Sequence, residues 1–235
     1  MNKGKLYLIP SPLCDRAPEE VIPIHTLTLL QSIKQYVVEE ERTIRRYLSK
    51  AGLKGHIHEL TFTELNEHTK PEEIEQMLSL FDNGQDVGLI SEAGLPAVAD
   101  PGAALVALCH ANGIEVCPQV GPSSIFLALM GSGLNGQSFA FRGYLPAKSE
   151  ARRNAIKDAE KLSGVLNQTQ IFIETPYRSD TFFQDLLQYL SPSTKLTVAT
   201  NLTSESQSIM TFSISEWKKK KLTIGKNPSV FLFLK

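Results

Sequence analysis

DVGLISEAGLPAVADPGAALVALCHANGIEVCPQVGPSS, residues 86–124, is the stretch of the chain that determines the predicted fold. Its apolar run at 87–90 is long enough for one buried strand and too short for a helix. A loop at 91–100 follows, then a helix at 103–112 and a second buried strand at 114–117. Strand, loop, helix and strand in this order form one parallel crossover unit.

Both ends of the predicted helix carry ordinary helix signals. Asp100 is predicted to be the N-cap, with Pro101 at the first helical position. Gly113 follows the last helical residue, as a C-terminal glycine commonly does. Because capping accounts for Asp100, the sequence favours a structural role for this carboxylate.

Ligands of open α/β sheets lie at the carboxyl ends of the strands. Here those ends are the loop at 91–100 and the turn at 121–124, which contain Gly94 and Gly121. Two interpretations stay open from the residues alone. The glycines either only make turns, or the two loops border a small-molecule pocket.

The rest of the chain alternates strands and helices. Before the central unit, the sequence predicts strands at 5–9, 35–38 and 56–60, helices at 19–33 and 71–83, and a helix ending at Ser49. After it, the sequence predicts helices at 125–130, 149–163 and 180–190, strands at 138–142, 170–174, 195–200, 207–213 and 229–234, and a short helix before the last strand. The chain is therefore expected to form an N-terminal α/β domain at 1–120, with a mostly parallel sheet of about five strands, and a C-terminal mixed α/β domain at 121–235.

Composition limits the possible functions. The formal charge is −1 over 235 residues, so any nucleic-acid contact requires a local basic patch. Cys14, Cys109 and Cys117 lack metal-ligand spacing, and no metal site is expected. No apolar run approaches membrane length and no leader precedes Leu6, which predicts a cytoplasmic protein without membrane contact. Dinucleotide-binding and phosphate-loop glycine motifs do not occur.

Three motifs resemble those of the tetrapyrrole methylase superfamily, and within it the ribosomal RNA 2′-O-ribose methyltransferase I branch. They are SEAGLPAVADPG at 91–102, VGPSS at 120–124 and FRGYLPAK at 141–148. The branch typically has S-D-A-G-x-P-x-x-x-D-P-G, P-G-P-S and F-x-G-F-L-P-A-K in this order. The likeness extends from GKLYLIPSP at 4–12 to the apolar terminal strand.

The resemblance implies an α/β protein of the tetrapyrrole methylase fold, with two α/β domains and a cofactor cleft between them. It also implies S-adenosyl-L-methionine as the cofactor, methyl transfer to a ribose hydroxyl of ribosomal RNA, and a homodimer. The residues that it places at the cofactor are Pro12, Leu13, Ala93, Gly94, Leu95, Val98, Ser123, Ser124, Glu174 and Leu202. The residues that it places in a substrate groove are Glu39, Arg42, Arg142 and Arg178.

A sugar hydroxyl must lose its proton during methyl transfer, so a base is needed. Glu92, where the branch has aspartate, and Lys148 are the candidates. For Glu39 and Arg42, the alternative interpretation is a solvated first helical turn. Departures from the branch occur at SPLCDR (11–16), at 61–68 and at 201–206.

Two clusters are basic. Arg142, Lys148, Arg152 and Arg153 are predicted to contact RNA phosphate, since basic residues at a helix N-terminus oppose the helix dipole. For the lysine run at 218–221, a solvated face is favoured.

Two alternatives to RNA methylation stay open, namely a methyltransferase acting on a corrin or porphyrin precursor, and a non-catalytic RNA- or ligand-binding relative.

Overall fold

The computed structural model describes residues 3–235, which fall into two compact units that divide the chain after Ser123. Both units are α/β, as the sequence predicts. No helix within residues 3–235 is long and apolar enough to cross a membrane.

Five parallel strands form the sheet of the first unit. They are β1 (Leu6–Ile9), β2 (Gln35–Val38), β3 (Thr61–Glu64), β4 (Val87–Ile90) and β5 (Val116–Pro118). Their order across the sheet is β3-β2-β4-β1-β5. The central strand β4 pairs with both β1 and β2, so the predicted parallel sheet of about five strands is confirmed.

Four α-helices connect these strands. They are α1 (Ile24–Leu30), α2 (Glu41–Leu48), α3 (Pro71–Gln76) and α4 (Ala103–Ala111). Successive strand residues point to opposite faces of the sheet. Tyr36 accordingly packs into a core with Ile9, and Val37 into a second core with Phe81. Cys109 lies in this second core, and burial raises the pKa of its thiol to about 11.

Several predicted elements of this unit are wrong in detail. The strand predicted at 56–60 contains a 3-10 helix, Ile57–Glu59, and the strand itself is β3. The helix predicted at 19–33 is divided: Pro18–Glu20 is a 3-10 helix, and α1 begins only after Pro23, which occupies its N-cap position and cannot continue a helix backwards. The helix predicted at 71–83 becomes 3-10 after Gln76. The predicted strand at 114–117 is β5, which begins later.

The role predicted for Asp100 also needs correction. Gly102, not Asp100, occupies the N-cap position of α4. One carboxylate oxygen of Asp100 accepts hydrogen bonds from the backbone N–H of Ala97, at 3.1 Å, and of Gly102, at 2.8 Å. The side chain therefore closes the loop before α4.

The second unit contains a mixed five-stranded sheet. Its elements are α5 (Ser124–Ser132), β6 (Phe139–Phe141), α6 (Ser149–Leu166), β7 (Thr169–Glu174), α7 (Ser179–Tyr189), β8 (Lys195–Thr200), β9 (Ser208–Ser213), α8 (Ile214–Trp217) and β10 (Ser229–Leu234). The strand order is β6-β7-β10-β8-β9. Only β6 and β7 pair in parallel, which confirms the mixed, largely antiparallel pattern. Phe172, Phe182, Phe231 and Trp217 lie in its core.

Candidate functional site

A cavity of about 360 Å³ opens in the first unit beside the loops that follow β1 and β4. Its size lies within the range of small-molecule sites. Three segments line it. The first loop and its continuation contribute Ser11–Arg16 and Pro18, and the second loop contributes Glu92 and Ala93. The segment formed by α2 and the residues directly after it contributes Thr43, Ile44, Arg46, Tyr47 and Lys50. The cavity thus lies where parallel sheets of this kind bind ligands.

Backbone hydrogen bonds join the two loops. Ser11 N–H donates to the Gly94 carbonyl at 3.0 Å, and Gly94 N–H donates to the Ser11 carbonyl at 3.1 Å. The buried Ser11 hydroxyl also donates to the Ser91 carbonyl at 2.9 Å. Gly94 has φ +80°, which favours glycine. The bridge therefore depends on the glycine of the SEAGLP motif.

Gly121 lies against the first of these loops. A Cβ at Gly121 would lie 2.2 Å from Pro10 Cβ, so only glycine allows this approach. The buried hydroxyl of Tyr47 donates to the Pro10 carbonyl at 3.0 Å, which fixes the loop from the α2 side. Gly94 and Gly121 therefore do more than make turns, because both of them permit close contacts between the loops.

The structure brings some of the predicted cofactor residues together and leaves others apart from the cavity. Pro12, Leu13 and Ala93 line the cavity, and Leu13 also contacts the Gly94 position. Leu95 is half-buried and Val98 is exposed, and neither lines the cavity. Ser123 ends the first unit, and Ser124 begins α5 of the second.

Glu39 is part of an acidic cluster at the carboxyl end of β2. Partial burial raises the pKa of its carboxyl above the ordinary value, and the nearby carboxylates of Asp100, Glu92 and Glu67 raise it further. Such uncompensated like charges destabilise the folded state and are common at functional sites.

We expect Glu39→Gln to raise the unfolding temperature at pH 7. The folded-state pKa of Glu39 is raised, so its ionised form costs stability above that pKa. The cost disappears as the pH falls below the ordinary carboxyl value of 4.5, where both states are protonated. Thermal unfolding of wild type and variant between pH 4 and pH 8 measures this difference.

Glu40→Gln is the matched control, with the opposite sign. The Glu40 carboxylate caps α2 by accepting hydrogen bonds from the N–H groups of Arg42, at 2.9 Å, and Thr43, at 2.7 Å. Bonds from Thr43 and Arg42 lower its pKa, so this variant should be destabilised at pH 7 and approach wild type in acid. If the unfolding temperature of Glu39→Gln at pH 7 is no higher than that of wild type, the electrostatic explanation is contradicted. Arg42 itself is exposed.

In the second unit, Glu174 and Arg178 form a local ion pair. The buried Glu174 carboxylate accepts from Arg178 Nη2 at 2.6 Å and from Thr175 N–H at 2.7 Å. This arrangement holds the guanidinium of Arg178 at the end of β7. Leu202 is buried in the loop after β8.

The predicted basic cluster at 142–153 divides into different roles. Arg142 is exposed and donates from Nε to Gln170 Oε1 at 2.8 Å, and the exposed Lys148 directly precedes α6. Arg152, in contrast, is buried and pairs with Asp185 at 2.6 Å. Its expected contact with RNA phosphate is therefore wrong. Arg153 lies over the ring of Tyr189, 5.7 Å from its centroid.

Sequence reasoning missed two cations at the cavity of the first unit. Arg46 and Lys50 both line its α2 side, and Lys50 forms an ion pair with Asp15 of the first loop. Their spacing of four residues was a possible signal, because it places both on one face of a helical segment. Among residues 3–235, no group of three or more histidine, cysteine or carboxylate side chains could hold a metal ion.

Solved structures with a similar fold include methyltransferases. The methyltransferase CobJ matches with a TM-score of 0.66 and 15% identity over 98% of this chain and 94% of that one. Uroporphyrin-III C-methyltransferase from Thermus thermophilus, solved with S-adenyl homocysteine, matches with a TM-score of 0.57 and 15% identity over 99% of this chain and 98% of that one. At these identities the likeness establishes the fold alone, which is the tetrapyrrole methylase fold.

Sequence comparison is more specific. No protein-family model matches the chain. The ribosomal RNA small subunit methyltransferase I of Vibrio cholerae is 32% identical over 211 residues, which are 90% of this chain and 69% of that protein. The protein of the same name from Thermotoga maritima is 32% identical over 187 residues, 80% of this chain and 78% of that protein. With the motifs and the fold in agreement, the chain belongs to the ribosomal RNA small subunit methyltransferase I family.

Proposed function

We propose that this protein transfers a methyl group from S-adenosyl-L-methionine to the 2′-hydroxyl of a ribose in small-subunit ribosomal RNA. The observation that carries the proposal is the cavity beside the loops after β1 and β4, which is built on the SEAGLP motif of the family. The names of the relatives support ribosomal RNA as the acceptor.

The loops of the first unit fit a cofactor with a nucleoside and an amino-acid portion. A Cβ at Gly121 would clash with the ring of Pro10, and a Cβ at Gly94 would lie 3.0 Å from Leu13 Cδ2, so the loops approach closely at both glycines. Pro12, Leu13 and Ala93 supply apolar surface, and the lining carboxylate of Glu92 suits a nearby positive charge. The cofactor supplies a methyl group activated on a sulfonium, and the protein must align it and exclude water. Leu95, Val98, Ser123, Ser124, Glu174 and Leu202 stay predictions as cofactor contacts.

Glu92 is the proposed general base. It lines the cavity and, in its ionised form, can accept the hydroxyl proton as the methyl group is transferred. Arg46 lines the same cavity and can pair with a phosphate beside the acceptor ribose, whereas Lys50 already pairs with the Asp15 carboxylate. Lys148 stays a second candidate for the base, and Glu39, Arg42, Arg142 and Arg178 stay predictions as substrate contacts.

We expect Glu92→Gln to lower kcat for methyl transfer by at least about 100-fold, the usual contribution of a general base. The measurement uses S-adenosylmethionine with a tritiated methyl group and small-subunit ribosomal RNA, followed by mapping of the methylated ribose. Glu75→Gln, at an exposed position in α3, is the matched control and should retain wild-type kcat.

The two alternatives predict different results in the same assay. Transfer of label to uroporphyrinogen III but not to RNA would favour the tetrapyrrole acceptor. Cofactor binding without transfer to either acceptor would favour a non-catalytic relative. Full activity of Glu92→Gln together with its loss in Lys148→Met would transfer the role of base to Lys148.

A further inference from the structure

A second cavity, of about 600 Å³, lies in the second unit between α7 and the lysine run that follows α8. It is lined by Phe183, Gln184, Leu187, Gln188, Lys218, Lys220, Lys221 and Leu222. Gln184 and Gln188 are exposed and four residues apart on α7, so both amides lie on the same face of the helix. We name this site the lysine–glutamine cavity.

Hydrogen bonds attach the lysine run to the unit at both ends. The buried Trp217, directly before it, donates from its indole N–H to the Leu196 carbonyl at 2.8 Å. Lys220 N–H donates to the Trp217 carbonyl at 2.9 Å, which continues the turn of α8. After the run, Ile224 N–H donates to the Asp180 carboxylate at 2.7 Å. The ammonium groups therefore project from an ordered backbone.

The three lysines that line the cavity have no carboxylate partner within the described part of the chain, whereas Lys219, which does not line it, lies close enough to Glu216 to lower the pKa of that carboxyl. Among residues 3–235, no carboxylate lies within salt-bridge distance of Lys218, Lys220 or Lys221. Glu216, the nearest acidic residue in sequence, is hydrogen-bonded by Ser213, and this bond lowers its pKa. Lys220 Nζ lies 4.1 Å from the centroid of the Phe212 ring, a cation–π contact that holds it in place.

We propose that the lysine–glutamine cavity binds the phosphodiester backbone of RNA, as a contact additional to the methylation site. This inference rests on the proposed function for the identity of the polyanion. Three ammonium groups pair with phosphates, and the two amides can donate to and accept from ribose hydroxyls and base edges. Because these 235 residues have a net charge of −1, a local basic concavity is needed to attract RNA. The sequence favoured a solvated face for the lysine run. That interpretation does not account for a cavity that the lysines share with the amides of Gln184 and Gln188.

The test compares two triple variants with the same change of charge. Lys218→Gln/Lys220→Gln/Lys221→Gln removes the cavity lysines, and Lys54→Gln/Lys157→Gln/Lys161→Gln removes three exposed lysines elsewhere. Binding of radiolabelled small-subunit ribosomal RNA is measured by filter retention from 50 to 200 mM salt.

We expect the cavity variant to bind RNA at least 10-fold more weakly at 100 mM salt. The slope of log K against log salt should flatten by about 2 to 3, since each lost phosphate contact contributes about 0.7 to 0.9. In the methyl-transfer assay the loss should fall on KM for RNA. The control variant should stay within twofold of wild type. Gln184→Glu/Gln188→Glu, which adds negative charge to the opposite wall, should weaken binding in the same way.

Failure of this proposal is distinguishable from failure of the proposed function. If the wild type methylates the RNA and the cavity and control variants bind alike, the cavity proposal is overturned and the function stands. If the wild type transfers no methyl group to RNA but binds it through the cavity lysines, the function is overturned and the cavity stands. Lysine-dependent retention on phosphatidylserine vesicles without lysine-dependent RNA binding would also overturn the cavity proposal.

Discussion

Arg152→Met is expected to lower the free energy of unfolding by about 3 to 5 kcal/mol, the usual cost of removing one partner of a buried ion pair. The side chains of Arg152 and Asp185 are 9% and 13% exposed and lie 2.6 Å apart, so methionine leaves a desolvated carboxylate without its cation. Arg152 Nη1 also donates to the carbonyls of Pro146, at 3.3 Å, and Ala147, at 2.7 Å. Equilibrium unfolding in urea measures the loss.

Two further variants separate charge from packing. Arg153→Met removes the neighbouring exposed arginine and should change the free energy of unfolding by less than about 1 kcal/mol, as is usual for surface substitutions. Arg152→Met/Asp185→Leu removes both charges and should recover most of the stability, because apolar pairs often replace buried ion pairs at little cost. If Arg152→Met is as stable as wild type, the ion pair of Arg152 and Asp185 contributes nothing to the free energy of unfolding.

The same pair has a functional consequence. Pro146 and Ala147 belong to the FRGYLPAK motif and directly precede Lys148. The hydrogen bonds from Arg152 therefore hold the backbone of the loop that carries this predicted site residue. A change of activity in Arg152→Met would act through this loop and not through contact with RNA.

Gly121→Ala is expected to abolish binding of S-adenosylmethionine, as measured by isothermal titration, and to lower stability by about 1 to 3 kcal/mol, as overpacking does. The added Cβ would lie 2.2 Å from Pro10 Cβ and 2.5 Å from Pro10 Cγ, so backbone must move. Pro10 directly precedes Ser11, whose hydrogen bonds to Gly94 join the two loops of the cavity. The displacement should therefore disturb the proposed cofactor site.

Gly136→Ala is the matched control, because a Cβ at Gly136 meets no atom within 4 Å. It should bind the cofactor like wild type. Should Gly121→Ala fail to fold, Pro10→Gly/Gly121→Ala removes the clashing ring and should recover folding and part of the binding. Unchanged affinity in a folded Gly121→Ala protein would refute the role of this close approach.

Local patterns in the sequence predicted most of the fold. The apolar run at 87–90 forms the central strand, and the predicted bounds of β8 and β10 match the structure. Errors occurred where short-range signals conflict, as at Pro23, or where apolar character is weak, as at 56–60. An element that faces a core has apolar residues at regular intervals along the sequence, so its position can be predicted from the sequence alone.

The sequence by itself determined the α/β fold class and the family, and it predicted two α/β halves and a site at the loops after β1 and β4. Only the tertiary structure decided which polar groups meet. Ser11 and Gly94 are bonded across 83 residues, Arg152 pairs with Asp185 across 33, and the lysine run faces two amides of α7. No local pattern encodes these contacts, because each depends on the position to which the packed elements bring two distant segments. For the same reason, Arg152 is a buried ion-pair partner and the lysine run lines a cavity.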